Sequence, residues 1–315
     1  MTPIAALLLS EHDALGPAGP QSGRIAELFW VFFWISVIVW TAVVAFAILG
    51  SLRKRPAGES ALRRNVIGAT AVTTLILLGL LIASIVTGSA VANAPGGKPM
   101  DLDVVAHQWW WEVHYPDAIA SRTVVTANEI HIPTGRPVRI QLSSHDVIHS
   151  FWVPSLHGKT DLIPTRLNYI WIRADRPGVY RGQCAEFCGL QHAHMLLYVI
   201  AEPEPRFEAW KNQQLAPAAE PATPSQQRGR DVFLNGPCIL CHAIRGTSAF
   251  ASAAPDLTHL ASRGSIAAGT LANKRGDLSG WITDAQHIKP GSYMPSLNIP
   301  AADVQPLTEY LESLK

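Results

Sequence analysis

Two long stretches without a single charged residue limit what this chain can fold into. Residues 28–52 read LFWVFFWISVIVWTAVVAFAILGSL, and a second run over residues 65–97 centres on TTLILLGLLIASIV. A helix needs about 20 apolar residues to cross a bilayer core, and each run exceeds that. Such a run can also form a helix buried in a large soluble core. Two of them in a chain of 315 residues, each longer than a span requires, point instead to a membrane hairpin. The composition agrees, since 16% of the residues are charged against about 25% in an ordinary soluble domain.

The flanks set the orientation. The connector between the runs holds Arg53, Lys54, Arg55, Arg63 and Arg64 against Glu59, whereas the outer ends carry Glu11, Asp13 and Glu27 on one side and Lys98, Asp101 and Asp103 on the other. Short basic loops stay cytoplasmic. Both termini, and everything after about residue 98, are therefore expected on the outer, periplasmic face of the cell membrane. The opening MTPIAALLLS lacks a basic region and has a short apolar core, which makes it a poor signal peptide. A net charge of +1 with no dense Lys/Arg stripe excludes a nucleic-acid-binding chain.

Texture divides the chain into an N-terminal segment (1–23), the hairpin (24–97), a β domain (98–205), a linker (206–225) and a helical domain (226–315). The β domain is read from short alternating runs such as RPVRIQLSS, NYIWIRA and MLLYVIA, which predict an antiparallel sandwich or barrel. PEPRFEAWKNQQ predicts a short helix, and LAPAAEPATPSQ an extended, semi-rigid linker. RGRDVFLNG, LSGWITDAQHI and VQPLTEYLESL predict the helices of the last domain.

The cysteines carry the chemistry. Cys238-Ile-Leu-Cys241-His242 has the C-x-x-C-H form of covalent c-type haem attachment. Its two thiols add to the haem vinyl groups, and the adjacent His becomes the proximal iron ligand. Half a zinc site would need a second ligand pair, and the domain holds no further Cys. Met294, in KPGSYMPSL, is the expected sixth ligand, with His259 and His287 as fallbacks. A second constellation, CAEFCGLQHAHM, places Cys184, Cys188, His192 and Met195 in one loop, with His149 upstream in HDVIHSFWVP. Thiolate, imidazole and thioether are ligands for copper. Two Cys permit two bridged copper ions, each also holding one His, with Met195 and the backbone carbonyl of Glu186 completing the set. A disulfide between Cys184 and Cys188 would leave His149, His192 and Met195 without a role, and zinc would gain nothing from Met195.

The hairpin, HDVIHSFWVP and CAEFCGLQHAHM together resemble subunit II of the haem–copper cytochrome c oxidases. The segment His107-Gln-Trp109-Trp110-Trp111-Glu112 and the stretch SLHGKTDLIPTRLN extend the likeness, and GPCILCHAIRG, APDLTHLASR and IKPGSYMP resemble the cytochrome c domain fused to that subunit in the caa3-type branch. The resemblance implies an all-β cupredoxin-like sandwich followed by an all-α cytochrome c domain. It implies dinuclear CuA ligands at His149, Cys184, Glu186, Cys188, His192 and Met195, and a magnesium ion reached by the Glu186 side chain at the contact with subunit I. It also implies electron entry at Trp109, although the Trp cluster read alone fits core or interfacial packing equally well.

The implied partners are subunit I, with its haem and CuB, and subunit III. The implied electron donor is a cytochrome c or a bc1 complex. The function is then that of an electron-input subunit, with O2 reduced to water in subunit I and protons translocated. One family feature does not match: an acidic residue near the start of the second membrane helix, where this chain reads ALRRNVIGAT with Glu59 further back. Two rivals share parts of the pattern. One is the CuA-bearing subunit of a nitric oxide reductase; the other is a non-enzymatic copper-binding or assembly protein. A quinol oxidase subunit would not need the Cys pair or the haem motif. No nucleophile–base pair or phosphate-cradling loop points to bond chemistry in this chain.

Overall fold

The computed structural model describes residues 10–52, 58–94 and 96–315. The opening apolar stretch and the connector residues Arg53, Lys54 and Arg55 lie outside them. Helices α1 (Pro20–Ser51) and α2 (Glu59–Ala92) hold most of the two apolar runs, the first to within one residue of its end and the second up to Ala92. At about 1.5 Å per residue, either is long enough to cross a bilayer. Their most apolar windows, of mean hydropathy 2.5 and 2.4, bury none of their residues within the protein. Trp34, Trp40 and Phe46 point outward with their neighbours, so the side chains that make these helices insoluble have lipid as their natural solvent.

Residues just before α1, and its first turn, lie against the β domain. The Ala18 N–H donates to Ser155 O, the Ser22 hydroxyl donates to Ser155 O, and Glu11 bridges Tyr180. The chain that enters the hairpin and the domain that leaves it therefore sit at the same end of the two helices.

The β domain is a two-sheet sandwich. One sheet holds β1 (Met100–His107), β2 (Trp110–Tyr115), β3 (Val124–Ala127), β5 (Val138–Ser144) and β8 (Asn168–Ile172) in the order β3-β2-β1-β5-β8. The other holds β4 (Glu129–Pro133), β6 (His149–Trp152), β7 (Thr160–Leu162), β9 (Gly178–Cys184) and β10 (Leu196–Glu202) in the order β4-β10-β9-β6-β7. The expectation of a purely antiparallel sandwich is corrected at one ladder in each sheet, because β1 pairs β5 and β4 pairs β10 in parallel. Alternation along a strand reports which face is buried, not the direction of its neighbour. Between the sheets lie Trp111, Tyr115, Ile130, Ile140, Phe151 and Tyr180, all essentially inaccessible.

Helix α3 (Glu204–Gln214) follows where PEPRFEAWKNQQ predicts it. Phe207 is buried, and Trp210 stacks on His131 at 4.0 Å and meets Tyr115 edge-on. This helix is thereby a lid on the sandwich.

The last domain wraps α4 (Pro224–Asn235), α5 (Arg275–Thr283), the single turn α6 (Ala285–Ile288) and α7 (Ala301–Ser313) around a core of Phe233, Leu278, Leu307, Tyr310 and Leu311. LSGWITDAQHI, expected as one helix, breaks after Thr283. There the Asp284 carboxylate accepts the His287 N–H and caps a new turn. Helices α4 and α7 cross at Gly229. A Cβ there would come within 2.7 Å of the Tyr310 Cβ and closer still to the Pro306 carbonyl, so the crossing requires a glycine.

Candidate functional site

Adjacent strands assemble the first centre. Strand β6 pairs with β9 so that Phe151 faces Cys184, which brings His149 at the head of β6 beside Cys184 at the end of β9. The loop after Cys184 turns back before β10 and carries Glu186, Cys188, His192 and Met195. The two sulfurs stand 3.8 Å apart, far beyond the roughly 2.05 Å of a disulfide, and both cysteines are free and buried. Each sulfur has its own imidazole, Cys184 the His149 Nδ1 at 3.8 Å and Cys188 the His192 Nδ1 at 3.6 Å. Met195, fully buried, places its thioether 3.9 Å from Cys188, and the Glu186 carbonyl lies 3.2 Å from Cys184. All six positions singled out in the sequence converge on one spot. Donor atoms of His149, Cys184 and Cys188 lie within 4.8 Å of one another.

Electrostatics favour a cation between the sulfurs. The hydrogen bond from Cys188 lowers the Cys184 thiol pKa well below its usual value. The same contact, reinforced by burial and by the Cys184 charge, raises that of Cys188. Two thiolates this close therefore need positive charge between them. The proton of His149 is already committed elsewhere. Asp146 Oδ1 accepts from His149 Nε2 at 2.8 Å, which leaves Nδ1 as the bare nitrogen facing the sulfur. Its other oxygen accepts the Gln108 N–H at 2.6 Å. Asp146 was not read from the sequence as part of the site, although a carboxylate three positions from a ligand His is the available signal.

The Glu186 side chain turns outward to Lys159 Nζ, 3.5 Å away. His194, within the same motif, is exposed and bonds Gln191 through Nδ1.

The second centre is an apolar cavity of about 350 Å³ in the helical domain, lined by Cys238, Cys241, His242 and Met294 among others. Cys238 lies in a 3-10 turn that begins at Pro237, and Cys241 directly follows the turn. His242 Nδ1 donates to Pro255 O at 2.7 Å; since a carbonyl only accepts, Nε2 is the nitrogen left to bind metal. Burial lowers the pKa of this imidazole and keeps it neutral. Of the fallback ligands, His259 is turned to Ala216 O at 3.1 Å and His287 is exposed on α6, while Met294 lines the cavity with His242. Arg263 lines it too, and its buried Nε has no partner among the described residues. A planar macrocycle bearing carboxylates fits this donor set, because a carboxylate would satisfy the Nε–H of a guanidinium whose other side already donates to Asp256 O at 2.6 Å.

The two centres meet. Gln108, Trp109 and Trp110 of the β domain line the same cavity. Trp109 is 7% exposed, and its indole N–H donates to Cys188 O at 3.0 Å. Gln108 donates to the same carbonyl at 2.8 Å. Gly189, at φ +113°, keeps the loop against this pair, since a Cβ there would stand 3.0 Å from the Trp109 ring. Trp111 instead faces inward, edge-on to Phe151 in the sandwich core. The Glu129 carboxylate, also buried, accepts N–H groups from Gly264 and Ser265 of the helical domain. No local sequence signal marks these joints.

Comparison with known proteins agrees with this architecture. Residues 119–202 match the model of the cytochrome c oxidase subunit II periplasmic domain, and residues 226–315 match that of cytochrome c. The chain is 35% identical to cytochrome c oxidase subunit 2 of Alkalihalophilus pseudofirmus, over 96% of this chain and 90% of that protein. It is 32% identical to the subunit of the same name from Bacillus sp. strain PS3 (84% and 80% covered) and 28% identical to that of Bacillus subtilis (96% and 92%).

Proposed function

Because the chain belongs to the cytochrome c oxidase subunit II family, we propose that it is the electron-input subunit of a terminal oxidase, carrying haem c in its C-terminal domain and copper in its β domain and working with subunit I. In this reading Cys238 and Cys241 attach the haem, and His242 and Met294 are its axial ligands. His149, Cys184, the Glu186 carbonyl, Cys188, His192 and Met195 hold two copper ions. When bound, these groups supply electron transfer between centres whose ligands need hardly move.

The protein's own residues do the rest. The sandwich holds both sulfurs at fixed separation on β9 and its loop, Asp146 fixes the tautomer of His149, and Pro255 fixes that of His242. Trp109 is the point at which electrons reach the copper side. Its indole is covered by the chain's own helical domain, so the entry it provides is internal, and an outside donor meets the haem domain first. That donor is a cytochrome c or a bc1-type complex. The half-exposed Glu186 carboxylate, which meets Lys159 at the surface, shares a magnesium ion with subunit I, and subunit III completes the complex. Protons are translocated by that complex. Both soluble domains lie on the outer face of the membrane. This placement is supported by the packing of residues 10–22 on the β domain, which keeps both ends of the hairpin on one side.

The observation that carries the reading is the pair of sulfurs 3.8 Å apart, each with one imidazole. Metal analysis of the purified oxidase should return two copper ions in this subunit with one haem c iron, and its EPR spectrum a seven-line copper hyperfine pattern. A single copper per subunit, or a haem c that does not reduce the copper, would overturn it.

A further inference from the structure

The seam between the two domains is built around one buried cation. Lys289, 3% exposed, follows α6 and reaches out of the helical domain. Its ammonium donates to three carbonyls: Trp109 O at 3.3 Å, His194 O at 2.9 Å and Ala267 O at 3.1 Å. An ammonium has three hydrogens to give, so its capacity is filled with no carboxylate among the three partners. The three acceptors come from three segments: the loop between β1 and β2, the copper-side loop, and the helical domain.

Burying an ammonium costs several kcal/mol unless hydrogen bonds offset it, and burial pulls its pKa down to about 8. An apolar residue would fill this space at less cost. What it could not do is bind three backbone segments at one point.

The same seam orders the residues on either side. Gln191 donates to Pro290 O at 2.7 Å, Leu196 N–H donates to Ala268 O at 3.0 Å, and the Tyr293 hydroxyl donates to Gln108 Oε1 at 2.8 Å. Tyr293 is adjacent to Met294 in the chain and stacks on Trp109.

We propose that Lys289 is a positioning residue for electron transfer within this chain: by clamping the helical domain to the two copper-side loops, it fixes the Tyr293–Trp109 contact across which the two centres communicate. The proposal rests on the cofactor assignment above.

The test uses the intact oxidase with Lys289→Met, which keeps length and removes every donor, and Lys289→Gln, which keeps two. The measurements are the rate of haem c to copper transfer after photoreduction of haem c, both midpoint potentials, and amide hydrogen exchange over residues 191–196 and 264–269. Lys289→Met is expected to slow transfer about tenfold or more, since displacement by about 1 Å can cost a hundredfold in geometry-dependent steps. Potentials should stay unchanged and exchange along the seam should accelerate. Lys289→Gln should recover part of the rate, and it carries the test alone if the Met variant does not assemble. Transfer at the wild-type rate despite a loosened seam would overturn the clamp, as would slow transfer explained by a shifted potential. Wild-type protein lacking a haem c band or a copper spectrum would refute the cofactor assignment itself, and the clamp with it.

Discussion

Tyr293 and Trp109 stack across the domain seam with ring centroids 5.9 Å apart and planes 20° from parallel. One ring adjoins the Met that lines the haem cavity, and the other donates its indole N–H to the carbonyl of a copper-side cysteine. Replacing Trp109 with Leu removes both contacts while leaving every proposed metal ligand in place. Haem-to-copper transfer, followed after photoreduction, should slow about tenfold or more with the copper spectrum retained. An unchanged rate would move the route away from this indole.

Cys188→Ser tests the shared-sulfur arrangement. A hydroxyl does not replace a bridging thiolate, so the mixed-valence copper signal should vanish while the haem bands persist. Survival of the copper spectrum would show that the sulfurs do not bridge.

In the proposed copper site Asp146 would act through His149, whose Nε2 proton it accepts at 2.8 Å. Partners that orient a metal-binding histidine typically contribute 10- to 100-fold in affinity. Asp146→Ala should therefore weaken copper retention by roughly that factor in a chelator competition, with the haem spectrum untouched. Equal retention would make the carboxylate a surface group that merely neighbours the site.

Most of the two clusters was legible in the sequence because it is local: Cys238, Cys241 and His242 fall within one turn, and Cys184 to Met195 within one loop, so their spacing points to the chemistry. Met294 stands apart and was legible as the one Met after Cys241. His149 was legible through the soft-donor logic that left it a place. The hairpin was legible from hydropathy, because a lipid-facing helix needs no partner to declare itself. The direction of the β1–β5 and β4–β10 pairings was not, since side-chain alternation is identical in either direction. Nor was the seam. Lys289 meets Trp109 across the two domains, and nothing within a few residues of either announces the other. Trp109 lies in the turn before β2 begins at Trp110, so strand alternation does not set its direction: it turns to the seam while Trp111, on β2, turns into the core, a distinction the triple Trp alone left open.

Acid stability of the β domain should depend on Glu112. Burial works to raise its carboxyl pKa, but hydrogen bonds from His107 and His114 outweigh this and hold it at about 2, against 4.5 unperturbed. A depressed carboxyl stabilises the fold above its unfolded pKa and loses that contribution as pH falls through the folded value. His114 shifts the other way, raised by its bond to Glu112, so its share is complete below its unfolded pKa and fades as pH climbs through the raised one. The cluster is then strongest between about pH 4.5 and 6.5. Glu112→Gln should cost on the order of 1–3 kcal/mol in that window and flatten the decline in stability between about pH 4.5 and 2. Melting curves across that range check it. A decline as steep as that of the wild type would assign the acid sensitivity to another group.

The helical domain has its own point of failure. At Gly229 the backbones of α4 and α7 approach so closely that a Cβ would meet the Pro306 carbonyl carbon at 2.6 Å and the Tyr310 Cβ at 2.7 Å. These neighbours are backbone and the stem of a buried ring, so neither can swing aside as the tip of a long side chain would. Gly229→Ala must therefore push the helices apart and reopen the packing of Phe233 against Tyr310, whose rings now meet at 6.3 Å. Overpacking of this kind costs about 1–3 kcal/mol, which in a domain of this size lowers its melting temperature by roughly 5–20 °C. Helix propensity pulls in the opposite direction, since Ala is favoured over Gly by only about 1 kcal/mol in a helix interior, so the steric cost prevails. Differential scanning of the intact subunit should show the haem-domain transition moving down while the copper spectrum is retained to its usual temperature. If the variant melts at or above the wild-type temperature, the helices have room that this crossing does not show, and the close approach is not what holds the haem domain together.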